Sequence, residues 1–218
     1  MTGADEDGTV RLRARVERIV RALRRIYPDA DCALDHSDAL QLLVATILSA
    51  QCTDERVNRV TPALFQRFPD AAAYAAADPA ELEQIIHSTG SFRNKARSLI
   101  GLGAALAEQH GGRVPSRMEQ LVELPGVGRK TANVVLGTWF EQPAIFVDTH
   151  VARLAGRLGW TGRRDPVKIE LDLQEILPRE DWTFTAHALI WHGRRVCKAR
   201  KPACASCALR PDCPHPTD

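Results

Sequence analysis

The stretch from Leu121 to Leu136 constrains the fold more than any other part of the chain: Leu-Val-Glu-Leu-Pro-Gly-Val-Gly-Arg-Lys-Thr-Ala-Asn-Val-Val-Leu. A helical pattern runs into Pro125, which cannot continue a helix, and Gly126 and Gly128 then permit a sharp backbone path. Apolar residues resume at helical spacing after Arg129, so the stretch reads as helix, tight turn, helix. The N–H groups that open the second helix make an anion site, and two positions without Cβ let a phosphate approach closely. A plain helical hairpin gives the same pattern, so the turn alone does not decide a function.

The remainder predicts an all-α fold. From Val10 to Tyr27, the residues Leu12, Val16, Ile19, Val20, Leu23, Ile26 and Tyr27 recur at helical spacing with arginines on the other face, and Pro28 closes the segment. Ser37 is the predicted cap of a segment (Leu40, Leu42, Leu43, Val44, Ile47, Leu48) that is apolar almost all round and therefore central. Capping boxes are read at Asp78-Pro79-Ala80-Glu81 and at Ser116-Arg117-Met118-Glu119. Asp165-Pro166 opens a further helix, and Gly193 is the predicted end of the last one. Ala144-Ile145-Phe146-Val147 is the one candidate strand.

Composition narrows the classes. With 44% hydrophobic and 26% charged residues, the chain is no disordered segment, and at 218 residues it is long enough for two lobes. Its longest largely apolar stretch, Ala39 to Ala50, is far short of the roughly 20 residues of a membrane-spanning helix. The acidic start, Met1 to Asp7, has no apolar core of a secretory signal, which points to the cytosol. Net charge is +2, but positive charge clusters at Arg11, Arg13, Arg15, Arg18, Arg21, Arg24 and Arg25, and again at Arg194, Arg195, Lys198, Arg200 and Lys201. Solvated faces are the plain reading of such clusters.

Of six cysteines, Cys32 and Cys52 are isolated, while Cys197, Cys204, Cys207 and Cys213 follow a six-two-five spacing. That is neither the two close pairs of a typical zinc module nor the ferredoxin run, although Pro214 follows the last cysteine. Spacing alone leaves zinc and iron–sulfur both open.

The Leu-Pro-Gly-Val-Gly-Arg-Lys-Thr-Ala run resembles the helix–hairpin–helix signature of DNA glycosylases, specifically the endonuclease III family. Leu48-Ser49-Ala50-Gln51-Cys52-Thr53-Asp54, Val147-Asp148-Thr149-His150 and the terminal cysteines look like the family's other landmarks in the family's order. The likeness extends from about Arg11 to Cys213. It implies two helical lobes with a cleft between them: a helical barrel over residues 32–142, and a second lobe from residues 1–31 and 143–218. It implies a bifunctional DNA N-glycosylase and AP lyase for damaged pyrimidines, acting as a monomer on double-stranded DNA with damaged bases or abasic sites, with no membrane partner.

Residue by residue, the resemblance makes Lys130 the nucleophile and Asp148 its carboxylate partner. An amine nucleophile has to shed its proton, which arginine cannot do, and lysine is scarce here: Lys95, Lys130, Lys168, Lys198 and Lys201 only. It makes Cys197, Cys204, Cys207 and Cys213 the ligands of a [4Fe–4S] cluster, whose charge would roughly cancel the +2 and leave DNA attraction to local patches. The hairpin residues Gly126, Val127, Gly128, Arg129 and Thr131 are implied DNA contacts, as are Lys198 and Arg200 in the first cysteine gap. Gln51 and Ser91 match residues that fill the space left by an extruded nucleotide, although family members often carry a bulky apolar residue where Ser91 stands. Either Phe92 or a shifted loop then takes the wedge role, or extrusion is less efficient and the preferred lesions differ from the family's. His150 reads as structural, and His187 and His192 as packing residues.

Overall fold

In the computed structural model, residues 3–215 are described, with side chains from Gly8 onward. Of the acidic start read above as lacking a secretory signal, Met1 and Thr2 lie outside the described residues, and residues 3–7 are described as backbone of the first helix only. Eleven α-helices and four short 3-10 turns are found among the described residues, and no strand. The helices are α1 (Gly3–Ile26), α2 (Ala39–Leu48), α3 (Asp54–Arg67), α4 (Ala71–Ala75), α5 (Pro79–Ile86), α6 (Phe92–His110), α7 (Met118–Leu121), α8 (Arg129–Thr138), α9 (Thr149–Arg157), α10 (Pro166–Ile176) and α11 (Trp182–Arg195). Ala144 to Val147 is buried but extended, without a partner strand to make it a sheet. No described helix is long and apolar enough to cross a membrane.

The chain divides into two compact units, Cys32–Gln142 and Met1–Asp31 with Pro143–Asp218. In the first, α2 is the central element, with every residue from Leu42 to Leu48 buried. Its cap is Asp38, whose carboxylate accepts the Gln41 N–H at 2.8 Å; Ser37, the predicted cap, stands one residue too early. Gly103 of α6 lets α4 pack against it: a Cβ there would lie 2.5 Å from the Ala75 nitrogen. Asp78 caps α5 as expected, but Glu81 does not close the box, because its carboxylate is held by the Arg67 guanidinium, at 2.8 Å for one oxygen. Nor is there a box at Ser116: the cap of α7 is Arg117, without a side-chain bond.

In the second unit Val16, Ile19, Val20, Leu23 and Tyr27 of α1 are buried, as expected, among residues of α9, α10 and α11, with Leu12 partly buried beside them, whereas Ile26, expected on the same face, is exposed at the end of the helix. The arginines of α1 are engaged within the unit. Arg18 pairs with Asp212 at 2.8 Å, Arg24 with Asp181, Arg21 with Glu17, and Arg13 and Arg15 donate to the carbonyls of Glu175 and Asp212. Arg24 also lies over the Phe184 ring. Helix α11 continues two residues past Gly193 to Arg195. Gly193 has a packing reason instead, since a Cβ there would meet His150 Nδ1 at 2.9 Å.

Candidate functional site

The glycine turn between α7 and α8 is built by two different demands. Gly126 has φ +79°, and a Cβ on it would approach the Ser98 Cβ of α6 to 2.8 Å, so the protein's own packing requires glycine. Gly128 has an ordinary extended backbone, and nothing in the protein lies within 4 Å of where its Cβ would be. Open space at Gly128 therefore faces outward, at the N-terminus of α8, which no side chain caps. Val127 turns inward: its side chain is buried and its N–H bonds the Leu124 carbonyl at 3.1 Å. Arg129 and Lys130 are exposed in the first turn of α8, with Thr131 half-buried beside them. An exposed ammonium next to uncapped N–H groups is an arrangement suited to a phosphodiester.

Asp148 is the N-cap of α9. One carboxylate oxygen accepts the N–H of His150 and of Val151, both at 2.8 Å, which holds the side chain in a fixed orientation. Behind it, His150 Nδ1 stands 3.1 Å from the Arg153 guanidinium, which also reaches the carbonyls of Gly193 and Cys197. Burial, followed by Arg153 and Arg194, outweighs Asp148 and the Gly193 carbonyl and pulls the His150 pKa below the usual imidazole value. A neutral ring fixed among helix ends is a structural histidine.

All four C-terminal cysteines line one cavity, walled otherwise by Leu154, Leu158, Val196, Pro202, Ala203 and Leu209. Among the described residues no group of three or more His, Cys, Asp or Glu side chains stands close enough together to hold one metal ion. Arg157 sits at its rim, donating to Cys197 Sγ at 3.2 Å and to the carbonyls of Lys198 and Ala199 at 2.9 and 2.8 Å. That clamp shapes the loop on which Lys198, Arg200 and Lys201 are exposed. His192 is also in the wall, bonded to Tyr27 Oη at 3.0 Å and 3.4 Å from Cys207 Sγ. Sequence reasoning classed His192 as packing and passed over Arg153 and Arg157. No local signal marks them, since apart from the Arg153 contacts to Thr149 and His150 their partners lie 15 to 165 positions away. His187 is a packing residue, buried against Phe146 and 3.7 Å from Asp31.

Gln51 and Ser91 are both exposed and both have a left-handed backbone, φ +55° and +46°. Among the described residues only Glu141 shares that conformation without being glycine. Such strain persists where the surroundings over-determine it, and it concentrates at functional turns. Phe92, one of the expected substitutes for the wedge, lies tilted against the His87 ring with ring centres 4.4 Å apart and is half-buried. Ser91 is thus left at the tip of its turn.

Residues 44–179 match the model of the HhH-GPD superfamily of base excision DNA repair proteins. Endonuclease III of Synechocystis sp. is 56% identical over 92% of this chain and 92% of its own. The chain belongs to the endonuclease III family. Endonuclease III of Bacillus subtilis is 47% identical over 89% of this chain and 90% of its own. Among solved structures, a non-covalent endonuclease III–DNA complex superposes with a TM-score of 0.89 at 44% identity, covering 93% of this chain and 95% of that one. A trapped covalent endonuclease III–DNA intermediate gives 0.89 at 43% identity over the same shares.

Proposed function

We propose that the chain is a bifunctional DNA N-glycosylase and AP lyase of base excision repair, acting as a monomer in the cytoplasm on oxidised or otherwise damaged pyrimidines in duplex DNA. The observation that carries the reading is the exposed Lys130 in the uncapped first turn of α8, directly after the Gly126–Gly128 turn. Solved relatives at 43–44% identity bind DNA, one of them in a trapped covalent intermediate, which supports an attacking group in this family.

In this reading the Lys130 amine attacks deoxyribose C1′. The glycosidic bond breaks and the base departs with the bonding electron pair and takes up a proton; the C1′–O4′ bond then opens, O4′ taking a proton, as the nitrogen lone pair closes an imine between Nζ and C1′. Loss of a C2′ proton then expels the 3′ phosphate and nicks the strand. Asp148, held in orientation by the His150 and Val151 N–H groups at the start of α9, stabilises positive charge at C1′ as the base leaves. Gly126, Gly128, Arg129 and Thr131 hold the phosphodiester, with Val127 supporting the turn from beneath. Lys198 and Arg200 add phosphate contacts from the cysteine loop. Gln51 and Ser91 occupy the space vacated by the flipped nucleotide.

The cysteine cavity fits a [4Fe–4S] cluster: four thiols in an apolar pocket, with Arg157 donating to one sulfur. Cys197, Cys204, Cys207 and Cys213 would hold the cluster there, and it would cross-link the loop that carries Lys198, Arg200 and Lys201. In these terms residues 32–142 are the helical barrel domain, and the two termini form the cluster domain.

The test is a duplex with one thymine glycol. Release of the damaged base together with a nick at the same position supports the proposal. Base release that leaves an intact abasic strand, or no release at all, contradicts it.

A further inference from the structure

Lys95 is the only buried lysine or arginine among the described residues, 6% exposed in the first turns of α6. Its ammonium donates to the Leu48 carbonyl and to the Thr89 carbonyl, each at 2.8 Å. Leu48 is the last residue of α2, and Thr89 the last of the 3-10 turn His87–Thr89. One charge therefore satisfies two helix ends, whose carbonyls need donors and attract cations. Beyond those two carbonyls lie two strained turns: Gln51 comes three residues after Leu48, and Ser91 two residues after Thr89. Each turn also has its own backbone bonds, Cys52 N–H to the Ser49 carbonyl at 3.1 Å in one and Lys95 N–H to the Ser91 carbonyl at 3.1 Å in the other, but these do not link one turn to the other. Ser49 Oγ bonds back to Thr46 within α2, and Thr89 Oγ1 bonds back to Ile86, so neither side chain reaches the other turn. Burial pushes the Lys95 pKa down, while the neighbouring Cys52 opposes it.

A buried ammonium costs desolvation, and a methionine, one heavy atom shorter, would fill nearly the same volume without that cost. What methionine cannot do is bond two carbonyls from separate segments. We infer that Lys95 is a positioning residue that locks the Gln51 turn and the Ser91 turn in one fixed spacing, so that both meet the duplex together when a nucleotide is extruded. This rests on the assignment of Gln51 and Ser91 to the extruded-nucleotide gap. With a small serine at one tip, filling that gap depends on where the turns stand rather than on the bulk of a wedge.

The experiment separates extrusion from chemistry. A duplex carries thymine glycol with 2-aminopurine as its neighbour, and the protein carries Lys130→Gln, so the fluorescence rise on binding reports unstacking alone. Adding Lys95→Met is expected to lower the extrusion equilibrium about 10-fold per folded molecule, folded fraction being taken from circular dichroism. In a Gln51→Ala background the same change is expected to cost about 3-fold or less, because the turn it aligns no longer carries its inserting group. An unchanged extrusion equilibrium with a lower Tm would make Lys95 a stabilising residue only and overturn the inference. Equal losses in both backgrounds would overturn it as well. Should Lys95→Met fail to fold, Lys95→Gln keeps amide donors on a shorter stem, with about a 3-fold loss expected and no loss contradicting. No fluorescence rise with the Lys130→Gln parent would instead strike the functional reading, and the inference with it.

Discussion

A Cβ placed on Gly126 would come within 2.8 Å of the Ser98 Cβ, whereas one placed on Gly128 would touch nothing. The two glycines of the hairpin therefore answer to different partners, one to the protein and one to whatever approaches the α8 N-terminus. Gly126→Ala combines a left-handed backbone with overpacking and should cost about 3 kcal/mol. Gly128→Ala should leave stability within about 0.5 kcal/mol of the parent and still weaken duplex binding several-fold. Urea unfolding and a binding isotherm on each variant check the split; equal destabilisation by both contradicts it.

Asp148 caps α9, and the proposed function gives it a second role in catalysis; a pair of substitutions separates the two. Asparagine caps a helix as well as aspartate does, so Asp148→Asn should keep Tm near the parent while lowering base release by about 10²- to 10³-fold. Asp148→Ala should lose the activity and also about 1 kcal/mol of stability, because two N–H groups at 2.8 Å lose their acceptor. Single-turnover kinetics with thermal melts read both effects. Full activity in Asp148→Asn would remove the charge from the account.

The loop clamped by Arg157 presents Lys198 and Arg200 to solvent. If both meet phosphates, replacing both with alanine weakens binding to damaged and undamaged duplex alike. It also lowers the slope of log K against log salt by about 2. An unaltered slope places those side chains off the DNA.

His150 carries a pH dependence. Its pKa in the folded protein lies below the ordinary value, chiefly because it is buried. The unfolded chain therefore binds the proton more readily, and stability present above about pH 6.5 is lost as pH falls toward the folded value. His150→Gln should unfold at a urea midpoint that declines less between pH 7.5 and pH 5 than the parent's. Parallel declines in the two proteins contradict the assignment.

Much of this was readable from the chain because the informative residues are chemically rare. Glycine and proline at the Pro125–Gly128 turn restrict the backbone locally, and the start of α8 at Arg129 follows from them. The helical class followed from periodicity, as α1 shows, with its inner face at the predicted positions except Ile26. Errors arose where one polar residue competes with its neighbour, as Asp38 does with Ser37 for the α2 cap. Arg153, Arg157 and Lys95 were illegible for another reason. Each acts on backbone carbonyls that only the fold brings near, and a carbonyl leaves no mark in a sequence. The arginines of α1 looked like a basic patch, but their acidic and carbonyl partners are supplied largely by distant segments.

Borohydride trapping tests the central claim most directly. Wild type and Lys130→Gln are incubated with a duplex containing an abasic site, reduced, and digested so that mass spectrometry locates the modified residue. The account predicts a stable covalent adduct with wild type, carried by the peptide containing Lys130, and none with a folded Lys130→Gln protein. An adduct of equal yield in the variant, or one mapped to another amine, would contradict it.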